Sequence, residues 1–371
     1  MFLGKIRSIS NFSGSSPPEV FVGKWNYPNV YTGILSPEEY GNTSVMSSAE
    51  EWHTRKLGIR DVIGLRSKLI YGRMQSNVRK ASFGNSKFLS VLQEVAMTSK
   101  SVASEFKLKK PIRRNDEKEN RVPLISNAGE VESVRLQENP KIEKKVEYLV
   151  NDDEIKSKDA LLELEGSGID TSTMIKLLSA GLLGMRKNRK LVPTRWSITA
   201  VDSNLSEEKI DKIRYYPEIQ DYKVFHDEYV GNHYEILLIP RYWSFEVIEI
   251  SLKSSGVWRD FESMFRRKKY AESVTGAYYA NRLGVCEYLE RIKKQASVLI
   301  FREIRPEYYA PLGVGILRET TRSAMNSEGK KFGSLKEALD DIQTRLRIPV
   351  ARYLKDSQMI KEMRQKSLSD F

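Results

Sequence analysis

Tyr234-Glu-Ile-Leu-Leu-Ile239 and, shortly after it, Ser244-Phe-Glu-Val-Ile-Glu-Ile-Ser-Leu252 decide how this chain is read. The first is a near-continuous apolar run, as in a strand buried on both faces. The second sets Glu246 and Glu249 inside an apolar segment. Ser297-Val-Leu-Ile-Phe301 and Val314-Gly-Ile-Leu317 read as two further strands, each running straight into Arg-Glu. Between them, Tyr278 to Lys294 has a stripe of Leu283, Tyr288, Leu289 and Ile292 at helical spacing. Two closing helices are expected, Leu335 to Leu346 and Val350 to about Arg364. Strands that do not alternate regularly with long helices predict an α+β fold, here a large mixed unit of two lobes with a C-terminal helix and an exposed tail.

Toward the N-terminus, Phe21-Val22 stops at Gly23 and Val30-Tyr31 stops at Gly33, which predicts two short strands joined around Asn26-Tyr-Pro28 in a stretch dense in turn formers and aromatics. Helices are expected from about Ala49 to Leu57, Arg60 to Ile70 and Phe88 to Met97. From Phe106 to Pro123 charged residues crowd around Pro111, which reads as a solvated loop or linker. Ala160 to Glu165 and the segment capped by Asp170 or Thr171 form two short helices across a Gly-rich turn. The second offers no arginine, so a structural hairpin is favoured over a DNA-reading helix-turn-helix. The expected organisation is an N-terminal α/β lobe (1–105), a charged linker (106–123), a main α+β lobe (124–355) and a C-terminal helix end with its tail (356–371).

The chain of 371 residues has one cysteine, three histidines and a formal net charge of +12. One cysteine excludes an internal disulfide framework and any zinc site needing two cysteines of this chain. No apolar stretch reaches the roughly 18–20 residues of a membrane span, and no secretory signal is evident. A cytoplasmic location away from the membrane is the expectation. No motif names a cofactor, and no spacing names a metal site. The positive charge points to a polyanionic partner, most simply nucleic acid. It is concentrated: Arg186, Lys187, Arg189, Lys190 and Arg195 stand together without an acid, and Lys253 to Lys294 holds ten basic residues against five acidic ones.

The segment Lys190-Leu-Val-Pro-Thr-Arg-Trp-Ser-Ile-Thr-Ala-Val-Asp202 is the richest in information. Read as a strand entered at Pro193, it puts Arg195, Ser197 and Thr199 on one face, a set suited to phosphate. Equally, Arg195 is a structural arginine paired with Glu246 or Glu249. Glu246 and Glu249 fall on opposite strand faces; with Asp202 and Asp260 they are candidate metal ligands for nuclease chemistry, or simply ion-pair partners of the arginines. Tyr270, Tyr278, Tyr279 and Arg282 lie near Arg266, Arg267, Lys268 and Lys269, an interleaving that suits base stacking and phosphate contact. Arg302-Glu303 and Arg318-Glu319 read as a polar network, and Cys286 as a small core residue.

The tail Gln365-Lys-Ser-Leu-Ser-Asp-Phe371 places Leu368 and Phe371 on one side of a 3₁₀ turn, with Gln365 at its rim. This resembles the peptide that binds the sliding clamp (PCNA). Ser16-Pro-Pro-Glu-Val-Phe-Val-Gly23, Tyr27-Pro28, Lys190 to Asp202, Gly231-Asn232, Tyr242-Trp-Ser-Phe-Glu246, Gly276-Ala-Tyr-Tyr-Ala280, Arg302-Glu303, Pro311-Leu-Gly-Val314 and Arg318-Glu319 together resemble the archaeal Nre family of DNA repair proteins, its NreA branch in particular. That resemblance implies a role in DNA damage tolerance and a clamp-binding tail at Gln365, Leu368 and Phe371. The Cys-rich, zinc-ribbon-like start of many relatives has no counterpart here. Two readings follow. One is a non-enzymatic factor that binds DNA through the basic stretches and is recruited by the clamp. The other is a DNA-processing, metal-assisted nuclease-like enzyme built from Arg195, Glu246, Glu249, Arg318 and Glu319.

Overall fold

The computed structural model describes residues 7–83, 86–114, 127–254 and 256–364. It divides into two compact units, Met1–Asn204 and Leu205–Phe371. In chain order the first holds β1 (Arg7–Ser16), β2 (Val20–Val22), β3 (Asn29–Ser36), α1 (Ala49–Thr54), α2 (Ile59–Ser67), β4 (Ile70–Asn77), α3 (Lys80–Phe83), α4 (Lys87–Met97), β5 (Val102–Arg114), β6 (Ala128–Leu136), α5 (Lys144–Asn151), α6 (Ser157–Gly166) and α7 (Thr171–Ser179). Helix α8 (Thr194–Ile213) spans the division. The second holds β7 (Tyr222–Tyr229), β8 (Asn232–Ile239), β9 (Ser244–Ser251), β10 (Val257–Glu262), α9 (Gly276–Ile292), β11 (Ser297–Ile304), α10 (Val314–Asn326), β12 (Lys330–Phe332), α11 (Leu335–Gln343), α12 (Val350–Leu354) and α13 (Gln358–Arg364). The class is α+β, as expected.

The N-terminal unit carries a six-stranded sheet in the order β1-β5-β6-β4-β3-β2, antiparallel except between β4 and β6. Residues 106–114, read from sequence as loop, are part of strand β5. Val102, Ser104, Phe106 and Leu108 are buried in strict alternation, and Lys107 and Glu105 pair across to Glu132 and Arg135 on β6. The charge run is the solvent face of a strand, so its density hid the period of two. The stacked rings of Phe12 and Phe106, 4.6 Å apart, knit β1 to β5, and burial of each contributes about 1.5–3 kcal/mol.

The C-terminal unit is built on a second six-stranded sheet, β10-β9-β11-β8-β7-β12, in which only β9 and β11 run parallel. Strands β8 and β9 are buried along their whole length, because both faces are covered. Leu237, Ile239, Ile248, Ile250, Leu299 and Phe301 pack on one side with Ala338, Ile342, Val350, Tyr353 and Met359 of α11–α13. On the other side Phe225 and Phe245 meet Tyr288 and Tyr278 of α9, each pair at 5.1 Å. Val314 to Leu317, expected as strand, opens helix α10 instead: Thr320 and Thr321 turn their hydroxyls back onto the Ile316 and Leu317 carbonyls at 2.7 and 3.0 Å, which lets β-branched residues sit in a helix. The last expected helix is two. Ser357 ends the run and caps α13 by accepting from the Ile360 amide at 3.2 Å.

Candidate nucleic-acid interface

The segment Lys190–Asp202 is not a strand. The Pro193 carbonyl accepts from the Trp196 and Ser197 amides at 2.7 and 3.0 Å, which makes Pro193 the cap of α8. Ser197, Val201, Asp202, Leu205, Ser206, Lys209, Ile210 and Ile213 are the buried positions, spaced three and four apart. Half of that face is polar, so hydrophobic periodicity could not announce the helix. On a helix Arg195 and Ser197 no longer share a side: Ser197 is fully buried and accepts from the Ser179 hydroxyl at 3.0 Å, while Arg195 is exposed.

Several hydrogen bonds fix the rotation of this first turn. The Val22 amide donates to Thr194 Oγ1 at 2.9 Å, tying β2 to the helix start. The Leu191 and Val192 amides donate to the Val78 and Ser179 carbonyls at 2.8 and 3.0 Å. The turn between β2 and β3 is held as firmly. Asn26 adopts φ 61°, the Asn29 amide donates to the Asn26 carbonyl, and the Val78 amide donates to the Pro28 carbonyl. The result is that Trp196 and Tyr27 meet at the surface, ring centroids 5.4 Å apart and planes inclined by 47°. They remain 46% and 45% exposed. Trp25, two residues back on the same turn, is 77% exposed, with Lys24 Nζ 4.8 Å from its ring.

Basic residues are exposed on the segments that carry or adjoin these rings. Arg186, Lys187, Lys190 and Arg195 are exposed, as are Arg79 and Lys80, and α3 packs beside the 3₁₀ turn Arg186–Asn188. Arg186 is paired with Asp153 at 2.9 Å. Lys187, Lys190 and Arg195 form no ion pair among the described residues. Arg189 is a structural arginine: its guanidinium donates to the carbonyls of Gly184, Val150 and Asp152 at 2.7–2.8 Å.

In the C-terminal unit the predicted cluster separates into surface and interior. Lys268 and Lys269 are exposed, and Arg266 is exposed but paired with Asp211. Arg267 binds Asp260 at 3.0 Å and donates to the Phe261 and Tyr270 carbonyls. Tyr278 is fully buried, with the Arg267 guanidinium 5.1 Å from its ring. Burial pushes its hydroxyl pKa up. Arg282 is buried against Glu262 at 2.8 Å and donates to Ser206. These two residues are inside the unit and offer nothing to a strand of nucleic acid.

The candidate catalytic residues of this unit stand apart from one another. Glu246 faces α13 and accepts from the Ser357 hydroxyl and the Gln358 and Met359 amides at 2.5, 2.9 and 3.0 Å. Glu249, on the opposite face as the strand period requires, binds Arg302 at 2.7 Å. Arg318 is buried on α10, and Glu319 pairs with Arg322 at 2.8 Å. Asp260 is taken up by Arg267 and by the Ser273 and Val274 amides, and Asp202 is fully buried. Among the described residues no three His, Cys, Asp or Glu side chains gather where a metal ion would be held. Gln365, Leu368 and Phe371 lie outside the described residues. Trp25, Tyr27 and Trp196 are the surface residues that sequence reasoning passed over; the signal for Trp25 and Tyr27 was the aromatic density of the Gly23–Gly33 turn.

Comparison with known proteins follows the same two-part division of the sequence, though at a different point. Residues 3–259 match the family described as Archaeal Nre, N-terminal, and residues 262–371 match Archaeal Nre, C-terminal. The chain is 38% identical over 345 residues to DNA repair protein NreA of Archaeoglobus fulgidus, covering 91% of this chain and 86% of that protein. It is 34% identical over 366 residues to NreB of the same organism, with 96% and 91% covered. NreA of Haloferax volcanii is 32% identical over 360 residues, with 93% and 86% covered. No solved structure matches the chain, and no described helix is long and apolar enough to cross a membrane.

Proposed function

The chain belongs to the archaeal Nre family, and from that premise we propose that it serves DNA repair as a DNA-binding factor brought to its sites of action by the sliding clamp. The observation that carries the DNA-binding reading is the group Lys187, Lys190 and Arg195, exposed around the start of α8 and without a counter-charge among the described residues. Such groups neutralise phosphates and release counterions, which supplies affinity without sequence preference. Lys268 and Lys269, also exposed, add to the same capacity. The clamp reading rests on Gln365, Leu368 and Phe371, whose spacing follows directly on α13. A processing enzyme would need carboxylates free to work on a substrate or metal, and Glu246 and Glu249 are both committed inside the fold.

The test is a filter-binding titration of the full chain against duplex, branched and single-stranded DNA over a range of salt, with and without divalent metal. Log affinity should fall linearly with log salt, and Lys187→Ala, Lys190→Ala and Arg195→Ala combined should flatten the slope by about 2–3. Absence of salt-sensitive binding to every DNA structure would sink the reading.

A further inference from the structure

Resting on the DNA-binding reading above, we propose that Trp25, Tyr27 and Trp196 form a stacking platform for unpaired bases, so that the N-terminal unit takes single-stranded DNA in preference to duplex. Large aromatic side chains belong inside a fold, where each adds to stability. Here an indole 77% exposed, a second 46% exposed and a phenol ring 45% exposed stand on one turn and the helix start beside it. None is needed to fill the core of this unit. Their backbone is nevertheless fixed: the β2–β3 turn through Gly23, Asn26 and Pro28, and the α8 start through Thr194 and Ser197. A rigid aromatic surface binds without first having to be ordered.

The ring geometry suits a guest. Tyr27 and Trp196 are inclined by 47° rather than stacked face to face, so each keeps a π-face for another ring. The surrounding charge selects which guest. Lys24 lies over the Trp25 ring, Arg195 adjoins Trp196 in the chain, and exposed Lys190 stands next to Leu191, whose bond to Val78 and that residue's bond to Pro28 link the segment to the Tyr27 turn. An apolar peptide has no use for those cations, whereas a nucleic acid strand brings a phosphate for each base. Exposed aromatics with tracking cations are the means by which proteins hold single strands irrespective of sequence. Duplex bases are already stacked on one another and present no face.

The experiment uses the full chain with a fluorescein-labelled thirty-nucleotide oligo-dT and a mixed-sequence duplex of the same length. Anisotropy should give at least tenfold tighter binding to the single strand. Oligo-dT should quench intrinsic tryptophan emission, because Trp52 and Trp243 are buried and Trp25 and Trp196 are the strongly exposed indoles. Trp196→Ala and Tyr27→Ala should each weaken single-strand binding about tenfold, the effect of losing one stacked base, with duplex binding little changed. Trp25→Ala, at a side chain too exposed to matter for folding, should do the same. Equal or tighter binding of duplex, or aromatic variants that bind oligo-dT like the parent, would overturn the platform while leaving a salt-sensitive DNA binder intact. If neither probe binds at any salt, the DNA-binding reading falls and the platform with it. Quenching by an apolar peptide that oligo-dT cannot displace would reassign the surface to a protein partner.

Discussion

Glu249→Gln is the sharpest test of whether the acidic residues of the C-terminal sheet are structural. Glu249 and Arg302 are 7% and 6% exposed, with Oε1 and Nη1 2.7 Å apart. The guanidinium spends its Nε and Nη2 on Asn232 Oδ1 at 3.2 and 2.5 Å and lies about 6 Å from the rings of Tyr234 and Tyr308. Burial works against the Arg302 charge, but the Glu249 carboxylate outweighs it and holds the arginine pKa above its ordinary value. Removing that carboxylate strands a cation in the interior, and breaking such a pair costs about 3–5 kcal/mol. At roughly 2–4 °C per kcal/mol for a unit of this size, the melting temperature should fall by about 6–20 °C. Replacing both partners, Glu249→Gln with Arg302→Met, should recover a good part of the loss, because the double change removes the stranded cation along with the attraction. Thermal melts followed by circular dichroism and urea titrations of the parent, the two single variants and the double variant complete the cycle. A Glu249→Gln protein within about 0.5 kcal/mol of the parent, additive with Arg302→Met, would refute the reasoning and return Glu249 to the list of residues free for chemistry.

Glu246 offers a pH test. Burial, opposed by the bonds from Ser357, Gln358 and Met359, raises its carboxyl above the unfolded value near 4.5, so the folded chain holds that proton to higher pH than the unfolded one. The associated stability is present below about 4.5 and is lost as pH rises through the folded pKa. The stability of the parent relative to Glu246→Gln should therefore decline on going from pH 4.5 toward neutrality; a gap that widens over that window in urea titrations would show the carboxyl to be held ionised instead. Cys286 is fully buried and burial pushes its thiol pKa up, so the native protein should resist a disulfide reagent at pH 8 while the urea-unfolded chain reacts stoichiometrically. Deleting Gln365 to Phe371 should abolish clamp binding in calorimetry and leave the melting temperature unchanged; clamp affinity equal to that of the full chain would remove the tail from the proposal.

What could be read from the sequence followed the side-chain period. The continuous apolar runs of β8, β9 and β11 were legible because both faces are buried, and α4 because Leu89, Leu92, Val95 and Ala96 keep helical spacing. Helix α8 was not, since its inward face is built partly of Ser197, Asp202, Ser206 and Lys209. Strand β5 was obscured by the charges on its outer face, and α10 by threonines that need the finished helix to satisfy their hydroxyls. The exposed basic residues around the start of α8 could be picked out by composition alone. Their aromatic neighbours were not, because Tyr27 and Trp196 are distant in sequence and are brought together by tertiary bonds such as those from the Val22 amide to Thr194 and from the Val78 amide to Pro28. Tyr278 and Arg282 were misplaced for the opposite reason. A buried cation over a buried ring has the same composition as a surface meant for nucleic acid.

Glu246 carries a mechanical implication. The carboxylate belongs to β9, between β10 and β11 in the C-terminal sheet, and its oxygens grip the first residues of α13. That helix leads directly into Gln365. A pull on the end of α13 is thus passed to strand β9 rather than to a surface loop. The mooring gives α13 a fixed root in the sheet.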